Sequence, residues 1–276
     1  MTSATEQQQL SGVGQRRLYS VTALQKMALG SGTGLVNWHC EQTAITAVDK
    51  RSTVEAMLRE SGRDETIKWL VSSRWDNVDR ARVRGTDVHK AAEAIALGIE
   101  PTIVPGTEPY VEQLVRWYRK WRPEFMLAEA PVYNVEHAYA GTCDGIMVLD
   151  GHRLLFDYKT TDKGPDARSR HPYSEAPLQI VAYARATEVG VLAEQRYDGF
   201  QQRYYLYDEA AQHEPMPTVD GALCIVISPF DCFAVPVSIG EIAWQAWLHT
   251  IAVARWQSEQ WRNAFGSALD NVGERS

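Results

Sequence analysis

The sequence predicts an α/β chain of the mixed, α+β kind: a mixed central β-sheet flanked by helices, with a helical N-terminal region. Three observations carry that expectation. First, residues 139–161 hold two runs rich in apolar and aromatic residues on either side of Asp150-Gly151. That pair is a hairpin signal, because a type I′ turn needs positive φ at both central positions. Second, residues 64–97 follow a helical period. Third, Arg203 to Tyr207, Ala222 to Ile227 and Phe233 to Val237 have strand composition and precede a long helical stretch, Ile239 to Trp261.

Composition frames the rest. A chain of 276 residues with 45% hydrophobic and 10% aromatic content supports a sizeable core. We expect one domain over residues 19–265, with 19–122 mainly helical and 123–265 forming the sheet core. Residues 1–18 are polar and read as a disordered tail, and 266–276 as a frayed one. No repeat and no linker stands out. No apolar run approaches about 18 residues and the N-terminus lacks an apolar segment, so the expectation is a cytoplasmic chain without a membrane span. The net charge of −7 runs against a strongly basic nucleic-acid binder, but says nothing of where the charges sit. The four cysteines, Cys40, Cys143, Cys224 and Cys232, form no Cys-x-x-Cys pair and read as buried thiols. Most of the nine tryptophans are expected in packed positions.

Taken in order, Ser20 is placed to cap a helix from Val21 to Leu29, ended by the glycines at 30–34. A second helix is expected over Val36 to Val48, with His39 lacking a matched acidic partner. Ser52-Thr53-Val54-Glu55 resembles a capping box and starts a short helix. The helix over 64–97 is expected to break near Trp75 to Asn77. Its arginines, Arg74, Arg80, Arg82 and Arg84, read as a solvated face or as a stripe along a phosphate backbone. His89 and Glu93 are four apart on it and share a face. Tyr110 to Trp121 is an aromatic amphipathic helix ended by Pro123. Met126 to Val135 leads into the hairpin as a strand, and Glu129 on it suits either the edge of a site or the surface. After the hairpin, Asp162 to Tyr173 reads as a loop, solvated or lid-like, followed by a helix from Ser174 to Val189.

The hairpin register carries chemistry. With Asp150 and Gly151 as the loop, Leu149 faces His152, and counting back sets Asp144 opposite Asp157. Opposed residues project from one face with Cβ atoms about 4.5–5.5 Å apart, so two carboxylates there repel. A divalent cation between them reverses that sign. Lys159, two residues on, shares the face. An ordinary hairpin with a polar outer face fits the same spacing.

Gly141-Thr142-Cys143-Asp144 followed by Asp157-Tyr158-Lys159-Thr160-Thr161 resembles the Gly-x-x-Asp…Asp-x-Lys core of the PD-(D/E)XK nucleases. It is similar to the RecB-like and Cas4-like exonucleases, including phage-borne versions. Two outlying motifs stand in the family's order: Gly85 to His89 upstream, and Gln179 to Tyr183 about 20 residues after the core. The resemblance spans roughly residues 84–184. It implies a restriction-endonuclease-like core and a metal-dependent DNA exonuclease. It implies His89, Asp144, Asp157 and the backbone carbonyl of Tyr158 as ligands of one or two Mg²⁺ or Mn²⁺ ions. Asp144, Asp157, Lys159, Gln179 and Tyr183 are then catalytic, and Arg84, Lys163 and Arg170 are candidates for substrate binding. DNA ends are the implied substrate, in recombination, repair or phage DNA processing, and in the host cytoplasm if phage-encoded. A helicase or single-strand annealing partner and an oligomer are compatible with it. The cysteine trio of the iron–sulfur Cas4 proteins is missing, so no cluster is expected. A non-catalytic DNA-binding subunit, a structure-specific endonuclease and a hydrolase of another phosphoester remain the alternatives.

Overall fold

The computed structural model describes residues 15–30, 33–162, 175–198 and 202–266, with the backbone alone described at 33–35, 74–80 and 261. In chain order the elements are β1 (Gln15–Ser20), α1 (Val21–Leu29), α2 (Thr33–Asp49), α3 (Arg51–Glu60), α4 (Gly62–Ala96), α5 (Glu108–Trp121), β2 (Glu124–Asn134), β3 (Tyr139–Leu149), β4 (His152–Thr160), α6 (Ala176–Ala184), β5 (Glu188–Gly190), β6 (Glu194–Tyr197), β7 (Arg203–Asp208), β8 (His213–Pro215), β9 (Gly221–Ile227), β10 (Cys232–Val237) and α7 (Glu241–Arg255). A π-helical turn (Trp256–Gln260) and a 3-10 turn (Trp261–Ala264) follow α7. The fold is mixed α/β, with one large mixed sheet flanked by helices.

Local chemistry explains several boundaries. Ser20 Oγ accepts from the Ala23 N–H at 3.0 Å, so the predicted cap starts α1 where expected. At the end of α5, Arg122 takes a left-handed conformation (φ 49°) just before Pro123. The hairpin turn has positive φ at both Asp150 and Gly151, as a type I′ turn requires.

Other expectations need correction. Residues 15–18 belong to β1, not to a tail; Leu18 is buried and the strand pairs with both β3 and β7. The other residues expected as tails, 1–14 and 267–276, lie outside the described residues. Ser52 sits inside α3, whose N-cap is Lys50, and Glu55 bonds Arg51 instead of closing a capping box. α4 runs unbroken through residues 75–77. α6 stops at Ala184 because the sheet takes its last carbonyls: Tyr139 donates to Ala182 O at 2.9 Å and Asn134 to Arg185 O at 2.8 Å. β5 then begins at Glu188, so no helix reaches Val189. The last helix ends regularly at Arg255, short of Trp261. Trp117 and Trp247 are buried, whereas Trp121 and Trp256 are exposed; Cys40 is exposed, against the expectation for all four thiols.

Two cores cover the two faces of the central strands. On one, Val21, Leu24, Ile146, Leu155, Ile180 and Trp247 join α1, α6 and α7 to the sheet. On the other, Val88, Ala92, Leu114, Met147, Phe156 and Ile225 join the C-terminal half of α4 and α5. Burying such side chains is the main favourable term in folding.

The sheet forks at β3. Along one edge β3 pairs with β2 from Tyr139 to Val148. Along the other, β4 pairs only with Gly145 to Leu149, and β1 only with Tyr139 and Ala140. Residues 141–144 therefore lie in a cleavage between two diverging half-sheets. Gly145 marks the point of divergence. Its φ is 155°, and a Cβ there would stand 2.2 Å from Leu127 O and 2.6 Å from the Phe156 ring, so only glycine fits. On β2, Glu129, next to Gly145's partner Ala128, also takes a positive φ, of 45°.

Candidate functional site

The fork gathers most of the residues singled out in the sequence. The β2–β3 ladder pairs Ala128 with Gly145 and Ala130 with Cys143, which sets Glu129 across from Asp144. The β3–β4 ladder follows the predicted register from Leu149↔His152 to Gly145↔Phe156. One step further it opens. There the Asp144 carboxylate replaces a backbone acceptor: Oδ2 takes the Tyr158 N–H at 2.5 Å. Glu129, Asp144 and Asp157 thus stand in one row across three neighbouring strands, with Asp157 next to Cys224 of β9.

α4 brings His89 over this row. Its Nδ1 lies 3.6 Å from Asp144 Oδ1, an ion-pair rather than a hydrogen-bond distance. Gly85, one turn earlier, lets α4 approach the end of β4, since a Cβ there would stand 3.2 Å from Thr160 Oγ1. His89, Glu129 and Asp144 each offer a ligand atom, all within 4.8 Å of one another. Ligands at about 2.1 Å on opposite sides of an octahedral ion are about 4.2 Å apart, so a small contraction suffices. The donor set, two carboxylates and one imidazole, fits Mg²⁺ or Mn²⁺. Of these, Glu129 is the residue whose sequence position suits either the edge of a site or the surface, and the structure sets it against Asp144. Its signal was the short β2–β3 connection, whose register sets 129 against 144.

Asp157 has a different partner. Its Oδ2 lies 2.5 Å from Lys159 Nζ. Lys159 also donates to Gln179 Oε1 at 3.1 Å, and Gln179 Nε2 donates to the Tyr183 hydroxyl at 3.1 Å. Tyr183 packs on Gly141, where a Cβ would meet its ring at 2.6 Å. The predicted pair on α6 therefore supports the lysine in a chain. Asp157 stands between the three-donor cluster and this chain. Tyr158 joins the site by donating its N–H to Asp144, while its ring meets His89 edge-on and its hydroxyl bonds Tyr118.

Burial and charge shift these groups in opposite directions. Burial raises Asp157 to about 6, with Asp144 adding to the rise and Lys159 opposing it. Burial and the Asp144 charge push Glu129 up to about 7. Burial alone would also raise Asp144, but His89, Lys159 and the Tyr158 N–H together hold it below the usual carboxylate range. Burial disfavours charge on His89 and Lys159, yet the facing carboxylates raise both, so Lys159 stays an ammonium. Burial pushes the Cys143 and Cys224 thiols up to about 12, too high for nucleophilic thiolates near neutrality.

A cleft of about 570 Å³ opens onto the row between α4 and the strands, lined among others by Arg82, His89, Lys90, Glu93, Glu129 and Asp144. Of the expected substrate-binding residues, Arg84 is turned elsewhere. Its guanidinium donates to Asp162 Oδ2 at 2.6 Å and lies over the Tyr110 ring, and Tyr110 bonds the other oxygen of Asp162. In this structure that arginine is paired with Asp162, two residues past β4. Lys163 and Arg170 lie outside the described residues, as does the rest of the loop up to 174. No helix is long and apolar enough to cross a membrane among the described residues.

No family model matches the chain, and no curated protein matches it.

Proposed function

We propose that this chain is a divalent-metal-dependent deoxyribonuclease of the PD-(D/E)XK type, most similar in its motifs to the RecB-like exonucleases. The observation that carries the reading is the row Glu129–Asp144–Asp157 at the fork, with Lys159 beside it and His89 above it. Three consecutive strands and one distant helix supply that set. Burying so many like charges is costly unless they are compensated, and a bound cation compensates them.

His89, Glu129 and Asp144 are the residues to hold the ion, with Asp157 bordering it. A bound Mg²⁺ or Mn²⁺ lowers the pKa of a coordinated water and stabilises charge on phosphoryl oxygens. Lys159, held as an ammonium, orients the attacking water and offsets negative charge that develops on the phosphate. Gln179 fixes Lys159 Nζ, and Tyr183 fixes the Gln179 amide. Glu129, pushed up to about 7, is half-protonated near neutrality, so a cation taken up there would displace its proton. In this reading DNA ends are the substrate and recombination, repair or phage DNA processing the setting.

The test is digestion of end-labelled linear single- and double-stranded DNA, with closed-circular DNA alongside, in Mg²⁺ or Mn²⁺. Loss of label from linear DNA alone, abolished by EDTA and by Lys159→Ala, is the expected result. Binding without cutting under either metal contradicts it and favours a non-catalytic subunit. Cutting of closed circles makes the chain an endonuclease.

A further inference from the structure

Helix α7 is apolar on two sides. One side packs on the sheet through Trp247, Ile251 and Ala254, with Trp244 and Leu248 beside them. The other side faces outward. Ile242, at 90%, is the most exposed large apolar side chain among the described residues, and Val253 and Trp256 are exposed with it. Ala246 and His249, also exposed, complete a stripe in which residues recur at spacings of four, three, four and three. The stripe runs about 21 Å along the helix. No Asp, Glu, Lys or Arg stands in it. The charged residues at the two ends of α7 are turned to the protein's own groups: Gln245 donates to Glu241 at 2.7 Å, and Arg255 donates to the His137 carbonyl at 2.8 Å. A helix apolar all round belongs in an interior, yet one copy of the chain buries only one side of this one.

The order of sizes along the stripe says what covers it. Bulky Ile242 and Trp256 stand at its ends, and the small, exposed Ala246 and Ala252 lie between them. His249 is midway. A two-fold axis at His249 sets Ile242 of one copy across from Trp256 of the other, Ala246 across from Ala252, and His249 beside its own counterpart. Small residues at the centre let the two helices approach, and the bulky ends close the pair. Such a surface is its own complement, as a symmetric dimer requires.

We propose that α7 is the interface of a two-fold dimer, two copies of this chain packed antiparallel through Ile242, Ala246, His249, Ala252, Val253 and Trp256. The inference stands apart from the nuclease reading. α7 and α4 pack on opposite faces of the sheet, so this pairing leaves the cleft beside α4 open in each copy.

The experiment measures mass by sedimentation for wild type, Ile242→Glu and Trp256→Glu, with Val48→Glu as a control at an exposed apolar position on α2. Circular dichroism checks that each variant is folded. Wild type and Val48→Glu should sediment at twice the mass of one chain. Ile242→Glu and Trp256→Glu should each weaken the dimer by about 100-fold or more, because each buries a charge with no partner. Oxidation of His249→Cys in a Cys40→Ser background reads the axis itself. It should link two chains, since only a residue on the axis brings its own counterpart within disulfide reach, and Val48→Cys in the same background should not. A wild type that stays monomeric at high concentration overturns the proposal and leaves the stripe to a different partner. A dimer that survives both glutamates, or one that His249→Cys fails to link, overturns this arrangement of it.

Discussion

Residues 124–160 and residues 33–87 differ sharply in how they are held. The three strands β2, β3 and β4 supply buried core residues to both faces of the sheet, among them Val132, Tyr139, Ile146, Met147, Leu155 and Phe156. The helical arm made by α2, α3 and the first two-thirds of α4 supplies none among the described residues. Its buried side chains are Thr46, Thr66 and Ser73, each bonded back to a carbonyl of its own helix. Val48, Leu58, Ile67 and Val71 are exposed there. The comparison teaches where precision is needed. Charged groups hold geometry only on rigid, well-packed supports, and Glu129, Asp144, Asp157 and Lys159 all stand on the three strands. His89 is the point where the arm's long helix meets that support, one residue past the buried Val88.

The sharpest way to break this comparison lies in the strands. Lys159→Ala should lower hydrolysis by on the order of 10³-fold, as loss of a charge-stabilising group does, while leaving the metal cluster intact. Steady-state kinetics on linear DNA measure it. Next comes Gly145→Ala. Its Cβ meets the Leu127 carbonyl at 2.2 Å, and that backbone has nowhere to go. We expect a loss of about 3 kcal/mol or more in denaturant unfolding, or failure to fold. A wild-type melt for this variant contradicts the geometry at the fork.

A pH effect follows. Asp157 and Glu129 have folded pKa values above their unfolded ones, and His89 is also raised. Through these groups the folded state binds more protons than the unfolded chain; the contribution of Asp157 and Glu129 is lost as pH rises from about 4 through 7, and that of His89 as pH rises above its ordinary range. Asp144, which is lowered, acts the other way. Metal binding competes with the same protons. Mn²⁺ should therefore raise Tm more at pH 8 than at pH 5.5, by several degrees in a thermal melt. An equal shift at both pH values contradicts the assignment.

The smallest effect belongs to the arm. Ile67→Ala and Val71→Ala, both at exposed positions, should change stability by less than about 0.5 kcal/mol. Denaturant midpoints check this, and a large loss means the arm has packing of its own.

How much of this was legible in the sequence depends on the range of the interactions. The Asp150-Gly151 turn fixes its register locally, and so the pairing down to Gly145 follows from side-chain alternation alone. The cap at Ser20 and the late strands β7, β9 and β10 are local in the same way. Divergence of β3 from β4 is not. It depends on Gly145 closing against the Leu127 carbonyl of β2, a contact outside the β3–β4 hairpin. For that reason the different partners of Asp144 and Asp157 were not legible: one carboxylate takes a backbone N–H, the other faces an ammonium. The engagement of Arg84 by Asp162 and Tyr110 likewise joins three distant segments. β5, β6 and β8 are only three or four residues long, too short to show a period. β1 lay hidden behind a polar stretch, although its Leu18 is buried.

The most direct test of the central claim is a calorimetric titration of Mn²⁺ into wild type, Asp144→Asn and Lys159→Ala, with DNA hydrolysis measured on the same preparations. Wild type should bind Mn²⁺ and cut DNA. Lys159→Ala should bind Mn²⁺ and fail to cut, and a folded Asp144→Asn should do neither. Wild-type Mn²⁺ affinity in a folded Asp144→Asn, or DNA cutting that survives both substitutions, would contradict the account.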